Sequence, residues 1–195
     1  MGVPAPRSAR RVRADAQRNI DALVAAAREI FAESGLDAPV REIAARAGVG
    51  PATLYRHFPE RSDLATAVFR REVDACAAAA TTLAVAHEPF DALVRWVHEL
   101  TRFLGGMRGL AAAVHSGDPA FGALPSYFRE RFEPALRTLL TAASEAGRVR
   151  SDIEPGELLM ALKQLCSSGD REANERMVAL LVDGLRREAT RGPAS

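Results

Sequence analysis

One stretch, VREIAARAGVGPATLYRHF at residues 40–58, constrains the fold of this chain more than any other. Apolar residues recur there at the i, i+3, i+4 and i+7 spacing of one helical face: Val40, Ile43, Ala44 and Ala47. Gly48 follows this face, at the point where a helix ends most easily in a left-handed residue without a Cβ. Gly50 and Pro51 then suit the cap and first turn of another helix. The pattern predicts two short helices joined by a tight turn.

The second of these helices has an apolar side and a polar side. Leu54 and Phe58 lie four residues apart and are expected to face the core. The side chains left on the outside are polar: Thr53, Tyr55, Arg56 and His57. This is the pattern of a helix-turn-helix, whose second helix enters the major groove of DNA. Arg56 is suited to a guanine or a phosphate, and the other three to phosphate oxygens. The alternative is a helical hairpin with solvated polar residues.

The longer run from Gly35 to Leu64 resembles the DNA-binding domain of TetR-family transcriptional repressors. It shares the glycine after the first helix, the REIAxxAGV core, the YxHF end of the second helix, and a basic residue three positions past Phe58. The resemblance covers Gln17 to about Arg71. Two departures stand out: Ala38 and Pro39 replace the usual Ser or Thr, and Arg61 replaces the commoner lysine.

From the motif and this resemblance we predict which residues contact DNA. They lie in or beside the two short helices: Arg41, Gly50, Pro51, Ala52, Thr53, Tyr55, Arg56, His57 and Arg61. The resemblance implies a homodimer that binds a palindromic double-stranded operator. It also implies a repressor role with release by a small molecule. Three alternatives stay open: a helical small-molecule-binding protein with a structural helix-turn-helix, a protein-interaction adaptor, and an activator.

The whole chain is predicted to be all-α, with an N-terminal three-helix bundle followed by a helical regulatory and dimerisation bundle. Nearly half of its 195 residues are apolar and few are aromatic, which favours close-packed helices; no strand pattern or repeat appears. The expected segments are an Arg-rich flexible arm at 1–16, the helix-turn-helix domain at 17–60, the effector-binding and dimerisation domain at 61–190, and a tail at 191–195. Whether the arm contacts DNA or is a solvated tail is left open.

The helices of the second domain are placed by their apolar periodicity. The spans expected are 61–82, 89–105, 108–116, 119–146, 155–168 and 172–189. The first of these joins the two domains and is expected to act as a lever. Pro125 and Pro134 should kink or split the fourth.

Little in the chain indicates catalysis or metal binding. His57, His87, His98 and His115 show no metal-ligand spacing, and no nucleophile or phosphate-loop motif appears. Cys76 and Cys166 are expected to be small buried hydrophobes. We therefore expect no enzyme activity and no cofactor. Of 26 basic residues Lys163 is the one lysine, which we attribute to genome composition. No secretory signal or membrane helix is evident, so a soluble bacterial cytoplasmic protein without a membrane partner is expected.

Two further sets of residues are predicted in the second domain. The candidates for an effector pocket are bulky or polar: Trp96, His98, Phe103, Met107, Phe121, Tyr127, Phe128 and Gln164. Plain core is the alternative for each. The candidates for a dimer interface are apolar and lie on the last two helices: Leu158, Leu162, Leu165, Val178, Leu181, Val182 and Leu185. The identity of the effector cannot be inferred from these residues.

Overall fold

The computed structural model describes residues 7–106, 118–167 and 170–187, and of residues 7–13 only the backbone. Over these residues the chain is helical and contains no strand. The helices are α1 (Arg7–Ser34), α2 (Val40–Arg46), α3 (Pro51–His57), α4 (Arg61–Ala86), α5 (Pro89–Gly106), α6 (Leu124–Glu145), α7 (Pro155–Leu165) and α8 (Arg171–Gly184). A short 3-10 turn at Pro119–Phe121 precedes α6. The all-α prediction is confirmed.

The first helix is longer than the sequence pattern predicted. It begins at Arg7 and not at Gln17, so residues 7–16 of the expected flexible arm are helical. The apolar periodicity used for the prediction starts only near Ile20, which hid the earlier turns. Arginine and alanine are good helix formers, and no proline or glycine interrupts the segment after Pro6.

Helices α1, α2 and α3 pack with the first turns of α4 into one small unit, which we call the head. Its apolar core is built from residues that are almost fully buried: Leu23, Val24, Ala27, Ile30, Ile43, Leu54, Phe58, Leu64 and Val68. The turn from α1 to α2 starts at Gly35, whose φ of 77° is the left-handed conformation expected of a helix-ending glycine. Every helix of the head therefore contributes to one core.

Helix α4 belongs to two cores at once. Val68 is buried in the head, whereas the next residue, Phe69, and Val73 are buried in the second core. The remainder of α4 and helices α5–α8 form this second unit, which we call the body. The 26 residues of α4 are thus a continuous connection from head to body.

The body is held around a group of aromatic rings. Phe132 on α6 is fully buried, and its ring lies 5.8 Å from Trp96, 5.6 Å from Phe103 and 4.6 Å from Phe128, measured between centroids. These near-perpendicular edge-to-face contacts join α5 to α6. Such rings add packing energy beyond the area that they bury, so this group is the centre of the body.

The two prolines predicted to disturb the 119–146 span act differently. Pro125 lies in the first turn of α6, where a missing N–H costs little, and the 3-10 turn precedes it; the predicted split is confirmed there. Pro134 lies inside α6, which continues through it. The helix predicted at 108–116 lies outside the described residues. Among the residues that the structure describes, no helix is long and apolar enough to cross a membrane.

Candidate functional site

The turn between α2 and α3 fixes the angle at which α3 is presented. Gly48 has a φ of 69°, and its N–H donates to the Ala45 carbonyl at 3.1 Å. The N–H of Val49 then donates to the Ala44 carbonyl at 3.0 Å. This pair of bonds is the end of a helix that closes on a left-handed glycine. A side chain at position 48 would strain that backbone, so the turn depends on glycine.

Helix α3 lies against the head by one side and shows its other side to solvent. Leu54 and Phe58 are buried, as predicted, and anchor the helix in the head core. The side chain of Tyr55 is 55% exposed and Arg56 is exposed beside it. The helix begins at Pro51, and its N-cap residue, Gly50, makes no side-chain capping bond. The apolar and polar sides predicted from the sequence are therefore confirmed.

Most of the predicted DNA-contacting residues lie on two helices that pack against each other, α2 and α3. The exposed members of the set are Arg41, Gly50, Pro51, Ala52, Tyr55 and Arg56, and Thr53 and His57 are half-buried. All eight lie on α2, α3 or at the cap of α3. Neither Arg41 nor Arg56 makes an ion pair with any described residue, so their charges are available.

Arg61 is the member of the set whose surroundings differ from the expectation. Its guanidinium Nη1 donates to the backbone carbonyls of Leu36 at 2.5 Å and Ala38 at 2.7 Å. Arg61 thereby ties the start of α4 to the turn between α1 and α2. The sequence pattern assigned this residue to phosphate because the side chain is charged and follows α3. In the structure its hydrogen bonds go to backbone carbonyls far away in the sequence, and no sequence motif predicts that contact.

Two ion pairs tie α1 to α4 further along. Arg28 Nε lies 2.8 Å from a Glu72 carboxylate oxygen, and Arg71 Nη1 lies 3.2 Å from Asp21 Oδ1. Exposed pairs of this kind contribute little stability individually. Together with the Arg61 bonds, however, they orient the head on α4.

The predicted ligand residues do not form one site. Trp96 is fully buried and its Nε1 donates to the Cys76 carbonyl at 2.9 Å, so it is a core residue with a satisfied N–H. His98 and Gln164 are exposed, and Phe121 is buried in the body core. Met107 lies outside the described residues. Helical spacing could not distinguish side chains buried in the core from side chains that line a cavity, because both kinds recur with the same helical period.

Phe103 and Phe128 do line a cavity. It has a volume of about 480 Å³ and lies between α4, α5, α6 and α7. Its apolar lining includes Phe69, Leu124 and Leu159. Among the described residues, its charged lining consists of Arg129 on α6 and Lys163 on α7, with no carboxylate. The sequence analysis missed both cations, although Lys163 was marked as the one lysine of the chain.

A larger cavity of about 740 Å³ lies where the head meets the body. Its lining is strongly charged, but Arg28 pairs there with Glu72, and Arg102 pairs with Glu99. Cys76 also lines it, and burial raises the pKa of this thiol to about 12. A thiol with so high a pKa stays protonated near neutral pH and is a poor nucleophile. Cys166 is buried, and neither of the two cysteines forms a disulfide.

Tyr127 takes part in a polar cluster between α4 and α6. Its hydroxyl donates to Asp74 Oδ1 at 2.7 Å, and Arg131 Nε donates to the same oxygen at 2.6 Å. Burial raises the pKa of the Asp74 carboxyl, but these hydrogen bonds lower it more, so the pKa lies below its ordinary value. Burial, with the bond to Asp74, raises the pKa of Tyr127. The guanidinium of Arg70 lies 5.0 Å from the Tyr127 ring.

The predicted dimer residues mostly lie inside the protomer. Five of the seven are buried in the body core: Leu158, Leu162, Val178, Val182 and Leu185. Leu165 and Leu181 are half-buried. The apolar side chains that α8 shows to solvent are instead Leu180, 63% exposed, and Met177, 43% exposed. A periodic apolar face predicts that this side of the helix is buried. It does not predict whether the face packs against its own chain or against a second chain.

Metal-ligating side chains are scattered: the described part of the chain holds no group of three or more His, Cys, Asp or Glu residues that could bind a metal ion. The polar surface that the fold does assemble is that of α2 and α3.

Comparisons with known proteins bear directly on that surface. A model of the tetR family of bacterial regulatory proteins matches residues 23–68, which include α2 and α3. A model of the C-terminal domain of SbtR-like transcriptional regulators matches residues 88–187, about half of the chain. This chain belongs to the TetR family. Members of this family are DNA-binding transcriptional regulators and not enzymes.

Solved structures extend the similarity over most of the chain. A TetR transcription regulatory protein from Mycobacterium vanbaalenii is 37% identical, with a TM-score of 0.72 over 90% of this chain and 99% of that one. A TetR regulator from Streptomyces coelicolor is 36% identical, with a TM-score of 0.71 over 87% and 99%. HTH-type transcriptional regulators of Staphylococcus aureus are 38% identical over 64 residues, 32% of this chain. The match spans about a third of their length, 35%.

Proposed function

We propose that this TetR-family protein is a repressor that binds a near-palindromic operator as a homodimer and leaves it when a small molecule occupies the body. The observation that carries the proposal is the division of α3. Leu54 and Phe58 hold the helix on the head, while Tyr55 and Arg56 stand in solvent beside the exposed cap. A helix buried on one side and polar on the other is suited to the major groove.

The proposed DNA contacts are of two kinds: contacts with base edges, which recognise the sequence, and contacts with phosphates, which position the helix. Arg56 is long enough to form a bidentate pair with a guanine edge. Tyr55, Thr53, His57 and Arg41 would bind phosphates, which sets the register of the helix and carries no sequence information. Gly50 has no side chain and Pro51 and Ala52 have small ones, so the start of α3 can approach the bases closely.

The dimer is proposed to form through α8. Met177, Leu180, Leu181 and Gly184 recur at the spacing of one helical face, opposite the buried residues Val178 and Val182. Two exposed large apolar side chains on one short helix favour a contact with a second copy. A two-fold axis through this face would present two α3 helices. For the operator to be read they must lie about one DNA turn, ~34–36 Å, apart.

The effector is proposed to bind in the cavity of about 480 Å³ between α4 and α7. Its size lies in the range of small-molecule sites, and apolar rings dominate its lining. Phe69 of α4 lies in that lining, and the polar cluster at Asp74 follows about one and a half turns later on the same helix. A change in the cavity would therefore act directly on α4.

Helix α4 is the proposed transmission element. At one end Arg61 is bonded to the carbonyls of Leu36 and Ala38, and in the middle Asp74 is bonded to Tyr127 and Arg131 of α6. A ligand shifts such an equilibrium only by its difference in affinity for the two conformations. A coupling of ~1–3 kcal/mol would release DNA by about 5–150-fold.

Footprinting on genomic fragments selected with the purified protein tests DNA recognition. We expect protection of a symmetric site with two half-sites one turn apart. Protection of no site at low salt would leave a helical small-molecule-binding protein as the better description. A reporter gene placed behind the selected site distinguishes repression from activation.

The dimer is tested by sedimentation of the Leu180→Glu variant. A charge on the exposed face of α8 should convert the dimer to a monomer and lower operator affinity. Ala179→Glu adds the same charge one residue away, off that face, and serves as the control. If both variants sediment like the unchanged protein, α8 is not the interface.

A further inference from the structure

The charged side chains described in the lining of the cavity between α4 and α7 are all cationic, although most of the lining is apolar. Gly156, Leu159, Met160 and Lys163 all line it, at the i, i+3, i+4 and i+7 spacing of one face of α7. Arg129 approaches from α6. Two cationic side chains thus reach the cavity from different helices, and the described residues of its lining include no carboxylate.

These two cations are unpaired, in contrast to their neighbours. On α6 itself, Arg131 lies 2.6 Å from Asp74 and Arg137 lies 2.8 Å from Glu133. Neither Arg129 nor Lys163 makes an ion pair or a hydrogen bond with any residue that the structure describes. Arg129 is exposed and Lys163 is half-buried, so water can solvate both charges, and an anion in the cavity would meet two cations that are not engaged by a carboxylate of the described residues.

An acidic group beside the cavity, Glu133, does not neutralise them. Glu133 lies close to Gly156, since a Cβ built there would be 3.7 Å from its carboxylate oxygen. That carboxylate is already engaged by Arg137. Ser126, the other polar residue of the lining, donates its hydroxyl to the Ala123 carbonyl at 3.0 Å. Recognition of charge in the cavity is therefore left to Arg129 and Lys163.

We infer that the cavity takes an amphipathic carboxylate: an apolar body packed on Phe69, Phe103 and Phe128, with its carboxylate held by Lys163 and Arg129. The apolar part supplies most of the affinity, because burial of apolar surface is favourable but unspecific. The charged hydrogen bonds select acids from alcohols and amines of the same shape. This inference rests on the proposal that a small effector acts on the body.

Direct binding to the full chain tests the inference without DNA. Isothermal titration calorimetry would compare decanoate with decanol, and 2-naphthoate with 2-naphthol, at neutral pH. We expect each acid to bind roughly tenfold more tightly than its neutral counterpart, the factor that corresponds to one charge-assisted bond of modest exposure. Equal affinity of acid and alcohol, or no binding of either acid at millimolar concentration, would overturn the inference.

Three variants locate the charge that selects the acid. Lys163→Met keeps the length and apolar stem of the side chain and removes its charge, so decanoate affinity should fall roughly tenfold while decanol affinity stays within about twofold. Lys163→Arg keeps the charge and should retain the preference for the acid. Arg148→Met removes an exposed cation outside the cavity and is the matched control.

The outcomes separate this inference from the proposed function. An equal loss for decanoate and decanol in Lys163→Met would indicate altered packing and reject charge recognition. A loss in Arg148→Met as large as in Lys163→Met would reject the cavity as the site. Because no duplex is present, an acid preference together with failed footprinting would keep the ligand class and reject only the repressor proposal. Circular dichroism melting of each variant checks that it is folded.

Discussion

In the head, the side chains proposed to bind DNA are separate from the core, whereas in the body the side chains proposed to bind the effector also pack in the core. On α3 the residues that fold the helix, Leu54 and Phe58, differ from those that face solvent, such as Tyr55 and Arg56. In the body, Phe103 and Phe128 line the cavity and also pack on the buried ring of Phe132. If the proposed function is correct, different residues provide recognition and stability in the head, whereas the same residues provide both in the body.

This difference follows from the kind of ligand. DNA is larger than the protein surface that binds it, so its contacts lie on the outside and can be polar. A small molecule is enclosed, so its contacts must be taken from the core. The consequence is that mutations should have one effect in the head and two effects in the body. Four changes test that contrast.

The largest effect is expected for Phe132→Ala. Removal of a fully buried ring leaves a cavity, so the free energy of unfolding should fall by ~3–5 kcal/mol in urea denaturation. Because Phe103 and Phe128 lose their shared neighbour, decanoate affinity should fall as well. Phe132→Leu should cause a smaller loss of both. A large loss of stability with unchanged decanoate binding would show that, in the body as in the head, stability and ligand binding depend on different residues.

Arg56→Ala should change DNA binding alone. Arg56 is exposed and unpaired among the described residues, so the melting temperature should stay the same. Operator affinity in fluorescence anisotropy should fall by ~1–3 kcal/mol, with less discrimination against a scrambled duplex. Arg56→Lys, which keeps the charge and loses the fork, is the control. Equal weakening on operator and scrambled duplex would identify Arg56 as a phosphate contact.

Arg61→Lys tests the contrast between head and body further, because we expect Arg61 of the head to contribute both to stability and to DNA binding. A single nitrogen of Arg61, Nη1, donates to both the Leu36 and Ala38 carbonyls. Lysine is a shorter side chain and its ammonium is more strongly hydrated, so it should hold these carbonyls less well; stability should fall by about 1 kcal/mol, along with operator affinity. Arg41→Lys, on an exposed residue of the same surface, is the matched control. Unchanged melting and binding in Arg61→Lys would restore the simpler role of a phosphate contact.

The smallest effect is expected for Asp74→Asn. The Asp74 side chain is 40% exposed, so its bonds to Tyr127 and Arg131 should contribute less than about 1 kcal/mol. Its pKa is lowered in the folded chain, so this contribution is present at neutral pH and is lost as the pH falls below the ordinary value of 3.8. The difference in urea midpoint between the two proteins should therefore shrink from pH 7 to pH 3. A difference that stays constant would exclude the carboxylate charge as its cause.

Several parts of the fold were readable from local sequence. The left-handed glycines at 35 and 48, the break at Pro125 and the inner face of α3 depend on residues within a turn or two of one another. Backbone geometry and apolar spacing decide such features directly. The start of α1 was missed because helix propensity without an apolar face gives no periodic signal.

The candidate sites were predicted unevenly for a related reason. The exposure of Arg56 and Tyr55 could be predicted because their position on α3 already sets them outside. The surroundings of Trp96 and Leu162 could not, because an apolar residue on a helix may be covered by its own chain, by a ligand or by a second chain. Lys163 was set aside as a matter of composition, although a single lysine among leucines on an apolar helix was the available signal.

The sequence by itself determined that the chain is helical, where its turns fall, and that it carries a TetR-type helix-turn-helix, because these depend on neighbours in the chain. Tertiary structure alone decided that Arg61 bonds to carbonyls 23 and 25 residues away and that Tyr127 meets Asp74 across 53 residues. It also decided that Arg129 and Lys163 share one cavity. Such contacts join helices whose relative positions follow from the packing of the whole core, which no local pattern specifies.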